Sequence, residues 1–195
     1  MRFYDPDSGA VYVDGRDVRT YEKDELHRKF GIVFQNDLVF HESLRDNINF
    51  GRGLDDSALK NAVKDAQAAE FIDGLEDGLD HMADIKGANL SGGQRQRILV
   101  SRALAGNSEI LVLDDASSAL DYKTDAQLRK ALREHYSHST LILIAQRVSS
   151  ICTTRYRPCQ HRFPEYHSLL RFQREASLQP GGPAYKQQIR LLSSA

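Results

Sequence analysis

The strongest constraint on the fold is Ile110-Leu111-Val112-Leu113, an apolar run closed by Asp114 and Asp115. Glu109 to Asp114 reads as a buried strand, being short, β-branched in part and bounded by polar residues. Lys123 to Tyr136 follows as an amphipathic helix, and Thr140 to Ala145 as a second buried strand. Continuous apolar strands on either side of a helix imply parallel pairing with both sheet faces covered. The expected class is therefore α/β. A chain of 195 residues with 41% apolar content fits one domain with its own core.

Upstream, Ala10 to Val13, the turn signal Asp14-Gly15 and Val18 predict a hairpin. Gly31 to Phe34 predicts another short strand. Residues 41 to 80 are expected to be mainly helical, with Ala58, Leu59, Ala62, Val63, Ala66, Ala69 and Phe71 forming an apolar stripe. A loop from Leu90 leads into a helix from about Gln94 to Ala105. No apolar run approaches the roughly 18 to 20 residues of a membrane span, and the N-terminal residues lack the apolar stretch of a signal peptide. A formal net charge of -1 argues against a chain-wide nucleic-acid footprint. Cys152 and Cys159 have no common zinc or redox spacing and read as two reduced thiols.

Two segments carry chemistry. Acids emerging at the C-terminal end of a buried strand lie where open α/β sheets place ligands. A carboxylate there can hold Mg²⁺ through water, although a structural or capping role fits the same residues. In Leu90-Ser91-Gly92-Gly93-Gln94, two glycines let backbone N–H groups approach an anion closely. The helix start adds partial positive charge and Ser91 a hydroxyl donor. A plain glycine-rich turn with a serine cap is the alternative.

Context favours the phosphate-reading alternative. The order NLSGGQRQR (89–97), Ser101-Arg102-Ala103-Leu104, ILVLDD (110–115) and Ser118-Ala119-Leu120-Asp121 resembles the ATP-binding domain of ABC transporters. LSGGQ matches the family signature, ILVLD the Walker B strand, SALD the D-loop, and Val33-Phe34-Gln35 the Q-loop. FYDPDSG (3–9) and Leu44-Arg45-Asp46-Asn47-Ile48 resemble exporters. The likeness covers residues 2 to about 151. It implies a P-loop NTPase-like parallel sheet core with an antiparallel β hairpin and a helical signature subdomain at about 41–105. It also implies ATP and Mg²⁺, a second ABC ATP-binding domain paired head to tail, and an exporter's transmembrane domain that holds the chain at the cytoplasmic face of a membrane. Asp114 and Gln35 would bind Mg²⁺ or its water. Ser91, Gly92, Gly93 and Gln94 would clasp the terminal phosphate of the partner's ATP, and Asp121 would communicate between sites.

The chain departs from the family in four respects. No GxxxxGK[ST] precedes Phe3, so the fold is expected to be incomplete and its own site to hold ATP poorly. A truncated fragment without nucleotide binding is the alternative function. Asp115 stands where the family usually has the Glu that polarises the attacking water. One methylene fewer withdraws the carboxylate by roughly 1.5 Å, against the hydrogen-bond reach that general-base work needs. Gln146 replaces the usual switch-loop His and cannot carry a proton. Asp115 and Gln146 together resemble the degenerate-site half of a heterodimeric exporter, with an intact signature that serves the partner. Finally, residues 152–195 contain both Cys, four of the five Pro and only two acids, Glu165 and Glu175. No strand alternation is evident there, and this non-family tail is expected to be disordered.

Overall fold

The computed structural model of the chain describes residues 1–145 and two short strands, Arg157–Pro158 and Leu169–Gln173. The described residues fall into two compact units, Met1–Phe30 and part of Gly31–Glu175. Among them, no helix is long and apolar enough to cross a membrane.

The first unit is built on a hairpin of β1 (Tyr12–Val13) and β2 (Arg16–Asp17), paired antiparallel. Asp14 and Gly15 both have positive φ, 51° and 76°. Two-residue turns of this kind match the right-handed twist of the flanking strands, which is why Asp-Gly marks them. Val18 N–H donates to the Val11 carbonyl at 2.9 Å, so the pairing extends beyond the strands themselves. The helix α1 (Lys23–Arg28) buries Leu26 in the same unit.

The second unit contains the sheet. Its strands are β3 (Phe30–Val33), β4 (Ile110–Asp114), β5 (Thr140–Ala145), β6 (Arg157–Pro158) and β7 (Leu169–Gln173). Their order is β3-β4-β5-β7-β6. β4 and β5 pair in parallel from Ile110↔Thr140 to Asp114↔Ile144, as their continuous apolar runs imply. The crossover is the helix Tyr122–His135 (α6 below), which buries Leu128, Ala131 and Leu132.

The strand content after Ile151 differs from the expectation drawn from the sequence. β7 pairs antiparallel with β5 from Leu141↔Gln173 to Ala145↔Leu169, and β6 pairs with β7. Leu169-Leu170-Arg171-Phe172 has no period-two alternation, yet an open sheet edge recruits backbone N–H and C=O groups whatever the side-chain pattern.

Between β3 and β4 run the helices α2 (Leu44–Asn49), α3 (Asp56–Asp65), α4 (Ala69–Asp73) and α5 (Gly92–Ala105). Ser43 and Asp55 cap α2 and α3 by accepting from the amides of Asp46 and Ala58. The predicted stripe is present: Leu59, Ala62, Val63 and Ala66 are buried in one cluster with Leu44, Ile48 and Ile98. Full burial of each Leu or Ile contributes about 1.5–3 kcal/mol. The crossover helix α6 (Tyr122–His135) meets α3 through its last residue, where His135 Nδ1 lies 2.8 Å from Asp65 Oδ1.

Gly31 sets how closely β3 approaches α5. A Cβ there would strike the Ala103 carbonyl oxygen and lie 2.7 Å from Leu111 Cδ2. The first obstacle is backbone and cannot rotate away. Gly31→Ala is therefore expected to destabilise the chain by about 1–3 kcal/mol, read as a lower urea midpoint at unchanged slope. An unchanged midpoint would show that β3 and α5 can separate without cost.

Candidate functional site

The glycine-rich turn is shaped by a reciprocal cap. Ser91 is extended (φ -64°, ψ 161°), and its hydroxyl accepts from the Gln94 amide at 3.2 Å. The Gln94 side-chain oxygen accepts in return from the Ser91 amide at 2.8 Å. This capping box starts the helix at Gly92, two residues before the start expected from the sequence, because the cap stabilises a turn that two glycines disfavour. The first N–H groups of a helix have no intrahelical acceptor. Ser91 takes the one from Gln94. Among the described residues, nothing accepts from Gly92 or Gly93. An exposed hydroxyl, two open amides and the positive end of a 14-residue helix thus converge on one surface point. Capping and anion binding, alternatives in the sequence, are compatible here: the Ser91 oxygen accepts within the cap while its proton remains to donate.

The carboxylates lie at the end of β4. Asp114 is the last strand residue and Asp115 the bend that follows, both half-buried. Asp115 has φ 52°, a left-handed conformation that Asp adopts more readily than most side chains. Its amide donates to the Ile144 carbonyl on β5 at 2.8 Å. Burial first, and the charge of Asp115 second, push the Asp114 carboxyl above its ordinary value. A carboxyl raised by burial and by a neighbouring negative charge fits a divalent cation, which would relieve both effects. Among the described residues, no three His, Cys, Asp or Glu side chains converge on a metal position. Mg²⁺ at this place would thus take most of its ligands from phosphate and water.

Gln35 is exposed, in the turn after β3, the strand next to β4. The loop after Asp115 packs on the glycine turn: a Cβ at Gly93 would lie 3.1 Å from the Ala119 carbonyl oxygen. Asp121 caps α6, accepting from the Thr124 amide at 2.9 Å and its hydroxyl at 2.7 Å. Those bonds, led by the backbone amide, hold its carboxyl below the usual range. Gln146 lies outside the described residues.

Two polar side chains of α5 went unassigned in the sequence. Gln96 donates to the Asp115 carbonyl at 2.9 Å and accepts from the Ala119 amide at 2.8 Å. Arg102 retains only 7% of its exposure. Its guanidinium donates to the backbone and side-chain oxygens of Asn47 at 2.8 and 3.1 Å, and pairs with Asp37 at 3.4 Å. It also lies 4.8 Å from the Phe50 ring centre and 5.3 Å from that of Phe40. Arg102 thereby ties the segment after Gln35 to α5. The signal available for it was an Arg flanked by Ser101, Ala103 and Leu104 on a buried helix, which periodicity does not separate from a solvated one. Arg97 stacks on Phe71 at 4.8 Å and donates to the Gln67 carbonyl at 2.9 Å, a packing role.

The raised Asp114 has a consequence for stability. An acid whose folded value exceeds its unfolded one is penalised as pH rises from about 3.8 through the folded value, and fully above it. Asp114→Asn removes that penalty. We expect a higher thermal midpoint than wild type at pH 7 without divalent cation, the difference closing as pH falls towards 3.8. A lower midpoint at pH 7 would contradict the electrostatic account.

Comparison with known proteins gives a consistent result. The family described as ABC transporter matches residues 1–118. The chain is 43% identical over 152 residues to an ATP-dependent lipid A-core flippase of Vibrio parahaemolyticus, covering 77% of this chain and 26% of that protein. It is 40% identical over 151 residues to the heterocyst differentiation ATP-binding protein HepA of Nostoc, covering 77% and 25%. Similarity to ABC transporter B family member 16 of Arabidopsis thaliana is 41% over 153 residues, covering 77% and 12%. The chain thus spans about a quarter or less of the length of these relatives. Among solved structures, a bacterial Atm1-family ABC exporter with ATP bound superimposes with a TM-score of 0.75 at 36% identity, covering 80% of this chain and 27% of that one. With the parallel β4–β5 pair, the capped glycine turn and the terminal carboxylates in place, this chain belongs to the ABC transporter family, as part of its ATP-binding domain.

Proposed function

We propose that the chain is the ATP-binding and ATP-hydrolysing part of an ABC exporter, working as one of two domains that pair head to tail. The observation that carries this is the start of α5, where Ser91 and the open amides of Gly92 and Gly93 present donors at an exposed helix end. Donors held in place before reaction stabilise charge on a transferring phosphoryl group without reorganising. The phosphate they would meet belongs to ATP held by the partner domain. Asp114, with Gln35, would hold Mg²⁺, which supplies positive charge against the phosphates. Asp121 would report the state of one site to the other.

The chain's own site is the weaker of two in a heterodimer. Asp115 is one methylene short of a Glu, and Gln146 lacks the proton chemistry of a His. The transmembrane partner docks on the helical part at 41–105. An aromatic surface at its N-terminal edge supports this, with Phe40 and Phe50 exposed at 43% and 54% and their rings 5.8 Å apart. The chain then sits at the cytoplasmic face of a membrane through that partner, and residues 152–195 are a non-family extension from which two short strands, Arg157–Pro158 and Leu169–Gln173, join the sheet.

The test is MgATP hydrolysis by the transporter assembled with this chain. Ser91→Arg, which fills the phosphate position, is expected to slow turnover about 100-fold, as loss of a phosphate- or oxyanion-binding donor does. Asp115→Asn should remove far less of the rate. An unchanged rate in Ser91→Arg would overturn the proposed function, and equal losses in both variants would overturn the weak-site assignment.

A further inference from the structure

A helix that begins Gly92-Gly93 has a first turn prone to fray, since glycine loses more conformational freedom on ordering than any other residue. The capping box satisfies donors but ties the turn only to itself, because Ser91 and Gln94 bond each other. Something outside the turn must fix where its donors point.

The loop after β4 provides that support. Ala119 rests on both glycines: a Cβ at Gly92 would lie 3.5 Å from the Ala119 Cβ, and one at Gly93 would lie 3.1 Å from its carbonyl oxygen. The loop is itself anchored to the sheet where the Asp115 amide donates to Ile144 on β5 at 2.8 Å. Gln96 spans the gap between loop and helix. Its amide nitrogen donates to the Asp115 carbonyl at 2.9 Å and to Ser118 Oγ at 2.8 Å. Its amide oxygen accepts from the Ala119 N–H at 2.8 Å. Ser118 Oγ donates in turn to the Asp115 carbonyl at 3.0 Å, closing a ring of bonds. The side chain is half-buried, and both ends of its amide are used.

We propose that Gln96 is a positioning residue that locks the 115–119 loop onto the first turn of α5, so that the phosphate-gripping turn is held in register with the end of β4. Its side-chain bonds go to Asp115, Ser118 and Ala119, and it acts through Ser91, Gly92 and Gly93. The proposal rests on the function assigned above. It extends it in one respect: the turn that serves the partner's ATP and the carboxylates that serve the chain's own ATP move as one body. A shift of about 1 Å in a positioned group can cost on the order of 100-fold in rate, so a single glutamine can govern turnover at either site.

The experiment compares Gln96→Met, which keeps volume and loses both bonding functions, with Gln96→Glu, which keeps the acceptor for Ala119. Hydrolysis is measured against MgATP concentration in the transporter assembled with this chain, with Ser91→Arg alongside, and amide exchange at Ala119 is followed in the chain itself. Gln96→Met is expected to lower kcat about 10-fold or more with KM for ATP little changed, and to speed Ala119 exchange. Gln96→Glu is expected to keep Ala119 protected and recover part of kcat, which a loss of folding alone would not produce. Wild-type kcat in Gln96→Met, with Ser91→Arg inactive, would overturn the positioning role while leaving the proposed function standing. An unaffected Ser91→Arg would overturn both. Should Gln96→Met fail to fold, a Glu variant that protects Ala119 yet shows no more activity than Ser91→Arg also overturns it.

Discussion

The interaction on which the rest depends is the packing of α5, buried along its C-terminal half and open at its first turn. Ile98, Val100, Ala103 and Leu104 are almost wholly excluded from solvent, fixing the helix against β3 on one side and α2 and α3 on another. A helix held so firmly at one end can afford a glycine turn at the other. The glycines lower local stability, yet bare backbone N–H groups at a helix start are what an anion can use. Firm packing behind and a permissive turn in front are two halves of one arrangement.

From that helix, polar side chains reach each neighbouring functional segment. Gln96 meets the loop after Asp115, and Arg102 meets the residues after Gln35. Burial lowers the Arg102 value, an effect that Asp37 only partly offsets, so the cation is expensive where it lies. Its hydrogen bonds to Asn47 and its two flanking aromatic rings offset that cost. Burial also penalises the charge at the end of β4, but there the neighbour adds to the penalty: Asp114 is raised by burial and by a like charge. Arg102 thus has compensating partners within the scaffold, whereas the half-buried Asp114 has a like charge beside it, an arrangement that a bound cation would relieve.

How much of this was legible in the sequence follows from the range of the signals. The β4–α6–β5 unit was readable because continuous apolar runs at the two strands leave few alternatives, and the hairpin because Asp14-Gly15 demands positive φ. The helical stripe over 58–71 was readable from its period. Gly31 was not, because a close approach between β3 and α5 is a long-range fact with no local pattern. Gln96 and Arg102 were not, because a polar residue on a helix looks the same whether it faces water or a neighbouring loop. Ser91 and Gln94 were legible as a phosphate reader through resemblance and as a cap through chemistry; the geometry shows the cap and leaves the Ser91 proton for the proposed phosphate contact. The strand Leu169–Gln173 was missed because sheet pairing is made by backbone groups, which every sequence carries.

The central claim is that the Ser91–Gln94 turn completes an ATP site belonging to another domain. It is tested most directly by a structure of the assembled transporter trapped with MgATP. The expected result is Ser91 Oγ and the Gly93 amide within about 2.7–3.2 Å of terminal phosphate oxygens, on a nucleotide held by the opposite domain. A closed, nucleotide-loaded structure in which none of Ser91, Gly92, Gly93 and Gln94 touches phosphate would contradict it.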